Sequence, residues 1–454
     1  MDEKKKTAIK TIINKELNNK DKKFRVNSSE QYINLLNRGY HENEIEITDP
    51  DEMCYIGCDF EYGDDIEKDL TKAFMWYKKS ADAGSMYGQR SLGKCYQEGI
   101  GTAVNYDLAY KYYLLSANQN YLDAIVDIGV CYEKGYGVSV DLHKAFHWFQ
   151  KAAEAGNKYG QRNLGYMYYY GKGTSVDYNQ AFEWYKKAAE QDFINAYVDL
   201  GLCYQKGKGA DVDCNKAFYW FQKAAEAGDK YGQRNLGLMF YYGKGTPVDY
   251  NQAFYWYQKA AEQGHISAYI DLGQCYENGN GVTKDLYKAF EWYKKAAEAG
   301  NKNGMYDLGL CYEYGKGTTI DKKEAIEWYQ KAAEQGYTDV YVDLGYAYED
   351  GDGVTEDMTK AFYWFQKAAE QGYIDAYIEL GICYEKGNGV TKDLYKAFEW
   401  YKKAAEVGNK YGMYDLGLCY EYGKGTTIDY NKAKYWYQKA ADLGHESAKK
   451  KLEI

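Results

Sequence analysis

Residues 375–408 read DAYIELGICYEKGNGVTKDLYKAFEWYKKAAEVG, and this stretch spells two helices. In its first half, Ala376, Leu380, Gly381, Cys383 and Tyr384 are spaced i, i+4, i+5, i+7 and i+8. That spacing makes one apolar face of a helix, here helix A. Gly387 and Gly389 follow as a Gly-x-Gly turn, where the backbone can adopt positive φ. Asp393 then stands where an N-cap belongs, its carboxylate free to accept an orphan backbone N–H. Helix B carries Leu394, Ala397, Phe398, Tyr401, Ala404 and Ala405 on one stripe, and Gly408 stops it just past the C-cap.

The same stretch recurs along the chain. Trp400 belongs to a series at 148, 184, 220, 256, 292, 328, 364, 400 and 436, a strict period of 36 residues. Gly381 belongs to a comb running from Gly57 through Gly93 and Gly129 to Gly417 at the same period. A fixed period over nearly the whole chain means one small unit stacked many times. The Gly408 slot holds Asn120 or Asp192 where it is not glycine, the residues that best tolerate a left-handed backbone. The comb glycine lies inside helix A, where each copy costs about 1 kcal/mol relative to alanine. Something must offset that cost. The sequence reading assigns it to close approach of a neighbouring helix or of the bulky Trp, which a Cβ would block.

Ala376, Leu380, Gly381, Tyr384, Gly387, Gly389, Asp393, Lys396, Ala397, Trp400, Tyr401, Lys403, Ala404, Ala405 and Gly408 together resemble the Sel1-like repeat, a relative of the tetratricopeptide repeat. The resemblance covers about residues 52 to 454 as eleven units and a partial last helix. It implies antiparallel helix pairs coiled into a right-handed superhelix, and a role as scaffold or adaptor in protein complexes. The expected fold is therefore all-α, an α/α solenoid of about eleven 36-residue helix-turn-helix repeats. Residues 1–48 form a non-repeat segment, a frayed Lys/Asn-rich start and a short capping helix; residues 49–454 form the solenoid with a partial C-terminal capping helix. Asp49-Pro50-Asp51-Glu52 marks the first repeat helix as N-cap, first-turn Pro and capping-box Glu. In the first unit Asp65 replaces the second turn glycine, and Glu453 stands at the last comb position.

Composition narrows the function. A net charge of −10 without a long Lys/Arg run in the array disfavours nucleic acid, whose phosphates reward basic residues. A basic protein or peptide is better steered to such a surface. No apolar run long enough for a membrane span occurs, and the N-terminus has no secretory pattern, so a cytoplasmic location is expected. Heavy use of Asn, Lys, Tyr and Ile points to an AT-rich genome, of a protist or a large virus of one. Cys95, Cys131, Cys203, Cys275, Cys311, Cys383 and Cys419 share one slot with Met167, Met239 and Ala347, so the slot asks for a small buried group, not for metal or disulfide chemistry. Some secreted relatives of the family carry a cysteine in each helix and have been linked to penicillin binding. Helix B here is essentially cysteine-free, with Cys214 at a Leu or Tyr position, which disfavours that paired-disulfide subtype.

The candidate binding slot lies two residues before the comb glycine. It holds Asp127, Asp199, Asp271, Asp307, Asp343, Glu379 and Asp415, with Ser91, Asn163 and Asn235 elsewhere. If helix A lines a concave surface, these carboxylates face a groove, interleaved with Tyr170, Tyr242, Tyr314 and Tyr422. Such a groove suits a basic, aromatic-tolerant peptide or protein. The plainer alternative pairs each Asp with a neighbouring repeat's Lys or Arg, such as Arg162 or Arg234.

No catalytic, cofactor or metal set emerges. His143 and His147 are four apart but lack a third ligand, and their slots hold solvent-face residues in other units. The Gly-x-Gly turns join two helices and are not phosphate loops. The reading is a non-enzymatic scaffold that needs no cofactor and binds proteins or peptides through a pre-organised groove, with its oligomeric state open. The alternative is a hydrolase of the penicillin-interacting Sel1-like type using an inter-repeat pocket, which would break the repeat pattern with an isolated polar constellation. A third reading, single-stranded RNA, needs basic groove positions that the acidic slot does not offer.

Overall fold

The computed structural model describes residues 24–63 and 65–452; the frayed start expected before residue 24 and the comb position Glu453 lie outside them. Helix dominates: twenty-four α-helices run in sequence among the described residues. They form an all-α solenoid of eleven repeats, numbered here from the comb glycine Gly57 (repeat 1) to Gly417 (repeat 11). Helix A of repeat 10 spans Ile374–Lys386 and its helix B spans Leu394–Glu406. The array divides into two compact units, residues 1–227 and residues 228–454, and within each the helices pack against their sequence neighbours.

Local chemistry sets the helix ends. The Asp393 carboxylate accepts the Lys396 backbone N–H at 3.1 Å, and the equivalent Asp caps helix B in the other repeats, with Asn105 doing so in repeat 2. Past helix B the chain turns left-handed: φ is 90° at Gly408, 62° at Asn120 and 55° at Asp192. The second turn glycine has a different cause. A Cβ on Gly389 would run into the Met358 carbonyl, at the start of the preceding repeat's helix B. Repeat 1 has no preceding repeat, so Asp65 is tolerated there, and its carbonyl accepts from Asn37 Nδ2 at 2.8 Å.

Asn37 belongs to the capping helix Ser29–Asn37, which packs on helix A of repeat 1, Pro50–Tyr62. Phe24–Arg25 pairs with Ile45–Glu46 as a two-residue parallel ribbon beside it. At the far end Glu446–Leu452 starts another helix A and covers repeat 11.

Of the two causes expected for the comb glycine, close approach of the neighbouring helix holds and the Trp does not. It is not the Trp but the residue after it that lies on the glycine, within the same helical hairpin. A Cβ on Gly57 would stand 2.6 Å from Tyr77 Cδ1, and one on Gly129 2.6 Å from Phe149 Cε1. Gly381 meets Tyr401 in the same way. The cause is rotational: a step of one residue turns a helix by about 100°, which aims Tyr401 at helix A and swings Trp400 to its flank. There the indole packs on Tyr377 (centroids 5.6 Å apart) under the ammonium of Lys403, 4.1 Å from the ring centroid. The seven slot cysteines are buried and unpaired, and burial pushes their thiols up to about 12.

Candidate interaction face on the first helices

The structure sorts the seven slot carboxylates into two classes. Arg90 Nε donates to Asp127 Oδ2, Arg162 Nε to Asp199 Oδ2 and Arg234 Nε to Asp271 Oδ2, each at 2.6 Å. Each pair spans 37 residues, from helix A of repeats 2, 4 and 6 to helix A of the next repeat. Asp271 is only 8% exposed, and burial raises its carboxyl even though Arg234 pulls it down. The pairing alternative is thus realised in repeats 3, 5 and 7. A glutamine strap accompanies it: Gln119, Gln191 and Gln263 bond Gln89, Gln161 and Gln233.

From repeat 8 the arginines stop. The slot three residues before the comb glycine, Arg in repeats 2, 4 and 6, is Ile270, Tyr306, Val342 and Ile378 in repeats 7 to 10. Among the described residues no cation lies within ion-pair distance of Asp307, Asp343, Glu379 or Asp415. Burial, with the nearby Glu277 and Glu385 carboxylates, pushes Asp307 and Asp415 up to about 7. Burial and the Glu313 carboxylate push Asp343 up to about 6. Glu379 is raised by burial, although it accepts the Tyr346 hydroxyl at 2.9 Å.

The nearest lysines are engaged elsewhere. Lys316 Nζ donates to Glu277 Oε1 at 2.7 Å, and Lys424 Nζ to Glu385 Oε1 at 2.5 Å. The same glutamates accept the phenols of Tyr293 and Tyr401, the rings seated on the comb glycines. A Lys in the Gly-x-Gly turn thereby serves the Glu of the preceding repeat. Five of the ten Gly-x-Gly turns lack that lysine, and repeat 9, Gly351-Asp352-Gly353, is the sole one to carry an acidic residue instead. That substitution was visible in the sequence. Its meaning was not, because the Lys–Glu pairing it interrupts joins residues 39 apart.

The four candidate tyrosines close helix A in their repeats and are exposed, Tyr170, Tyr242 and Tyr314 by about 60%. Tyr314 sits close enough to Glu313 and Asp343 for their charges to raise its phenol. Tyr422 is exposed to a similar degree, and its hydroxyl accepts from Lys451 Nζ at 3.0 Å. No group of three or more His, Cys, Asp or Glu placed to hold a metal occurs among the described residues. No described helix is long and apolar enough to cross a membrane.

The Sel1 repeat family model matches eleven successive segments, from residues 53–85 to residues 410–445. The chain belongs to the Sel1 repeat family. Its repeats therefore share that family's helical hairpin, with the capping segments added at both ends. A protective antigen of uropathogenic Escherichia coli displaying an SLR fold is 34% identical, over 94% of this chain and 90% of that one, with a TM-score of 0.62. A Sel1 repeat protein from Oxalobacter formigenes is 32% identical, over 68% of this chain and 89% of that one, with a TM-score of 0.51. Among curated proteins none matches the chain.

Proposed function

We propose that this Sel1 repeat array is a non-enzymatic scaffold that holds basic partner proteins or peptides against its helix A face. Proteins of the family generally serve as protein-interaction scaffolds. The observation that carries the reading here is the row of carboxylates without a cation, the half-buried Asp307, Glu379 and Asp415 and the more exposed Asp343, flanked by the exposed Tyr314. Desolvated charge lacking a counterion is unfavourable in the free protein, so a partner cation relieves a strain that the fold leaves in place. Rigid stacked helices lose little entropy on binding. Asp127, Asp199 and Asp271 occupy the same slot of helix A in their repeats, but their arginines already satisfy them.

Affinity capture from the native host, followed by titration of the recovered partner, tests this. Asp307→Lys with Asp415→Lys should weaken binding at least tenfold, while Glu226→Lys on an exposed helix B end should leave it within twofold. Equal affinities for all three proteins would remove the helix A face from consideration.

A further inference from the structure

We propose that the partner presents arginine, and that its guanidinium enters the cavity between repeats 8 and 9 in place of the arginine the chain supplies to itself elsewhere. The inference rests on the helix A face being the binding surface. The chain displays the ligand of this slot three times: a guanidinium donates through Nε to the carboxylate at 2.6 Å in repeats 3, 5 and 7. In repeat 7 the contact is two-pronged, with Arg234 Nη2 reaching Asp271 Oδ1 at 3.2 Å. Asp343 occupies the same slot in repeat 9, but Tyr306 stands where its arginine would begin.

The surroundings reinforce the vacancy of charge. A cavity of about 220 Å³ is lined by Glu313, Asp343, Asp350 and Asp352, with Lys322 as its one cation. Lys322 is committed to Asp352 at 2.6 Å, and Glu313 accepts phenols, from Tyr329 at 2.5 Å and from Tyr314. Four carboxylates against one ammonium leave three negative charges uncompensated. A different cavity along helix A of repeats 2 to 5, about 330 Å³, shares the Asp slot through Asp127, and there Arg90 and Arg162 stand against Asp123 and Asp127. Asp352 is decisive, because the turn lysine found in repeats 4, 5, 6, 8 and 11 would have neutralised Glu313. The acids that line this cavity, with the phenols of Tyr329 and Tyr346, suit a planar, weakly hydrated guanidinium better than an ammonium.

Fluorescein-labelled peptides of one length, carrying arginine, lysine or citrulline at every third residue, provide the probe by anisotropy at physiological salt. The full chain should bind the arginine peptide at least tenfold more tightly than the lysine peptide and should not bind the citrulline one. Asp352→Lys restores the usual turn lysine and should cut arginine-peptide affinity at least tenfold without lowering Tm. Asp211→Lys, the same charge change at an exposed loop of repeat 5, should cut it less than twofold. Equal binding of arginine and lysine peptides, or an Asp352→Lys protein that binds like wild type, overturns the proposal. If Asp352→Lys is silent while Asp307→Asn with Asp415→Asn weakens the peptide, the cavity assignment falls and the helix A face stands. If neither changes binding, the face falls with it.

Discussion

Arg234 of repeat 6 holds both carboxylate oxygens of Asp271 of repeat 7, at 2.6 and 3.2 Å. The pair ties one helix A to the next. Removing Arg234 leaves a nearly buried carboxylate without its donor, a loss of about 1–3 kcal/mol. Arg234→Met should therefore speed amide exchange in helices Lys230–Tyr242 and Ile266–Asn278, whereas Arg234→Met with Asp271→Leu should restore much of the protection. Exchange is the right probe, because a long repeat array need not unfold in one step. Unchanged protection in the single variant would show the Arg234–Asp271 pair to be idle.

Gly381 carries the ring of Tyr401, so a methyl group there must push the hairpin apart. Overpacking costs about 1–3 kcal/mol, against about 1 kcal/mol gained in helix propensity. Gly381→Ala should lower Tm, and adding Tyr401→Ala should cost less than the sum of the two single changes. A Gly381→Ala protein that melts higher than wild type contradicts the contact.

The acids of unit 2 give a signed pH dependence. Burial raises Asp307 and Asp415 from 3.8 to about 7, so the native state holds protons that the unfolded chain has lost. Their contribution is fully present below about 3.8 and is lost as pH rises to about 7. Glu277 and Glu385 act in the opposite sense: burial would raise them, but Lys and Tyr hydrogen bonds hold them low. The difference between wild type and Asp307→Asn with Asp415→Asn isolates the first effect. The Tm advantage of the double variant should grow between pH 4 and pH 7 and then level off; a gap independent of pH would refute it.

Thiol reactivity separates the cysteines. Hydrogen bonding with Cys54 lowers the half-buried Cys58 to about 7, burial opposes this, and the Tyr77 hydroxyl adds a second bond at 3.4 Å. Iodoacetamide at pH 7.5 followed by peptide mass spectrometry should label Cys58 first, with Cys214 the next accessible site. The seven slot cysteines should resist by at least tenfold. Uniform labelling of all ten would mean that the slot is open to solvent.

The repeat length, the helix pairs, the Asp caps, the left-handed stops at Asn120 and Asp192 and the buried cysteine slot were all legible in the sequence. Each follows from spacing within one helix or one turn, where 3.6 residues per turn and φ preferences suffice. Tertiary structure decided three other matters: that Tyr401 rather than Trp400 covers Gly381, that Arg90, Arg162 and Arg234 claim Asp127, Asp199 and Asp271, and that Asp352 leaves Glu313 and Asp343 without a cation. These joins depend on how one helix is rotated and shifted against the next. Such offsets are set by side chains interlocking across a seam, and the order of residues along a single helix does not record them.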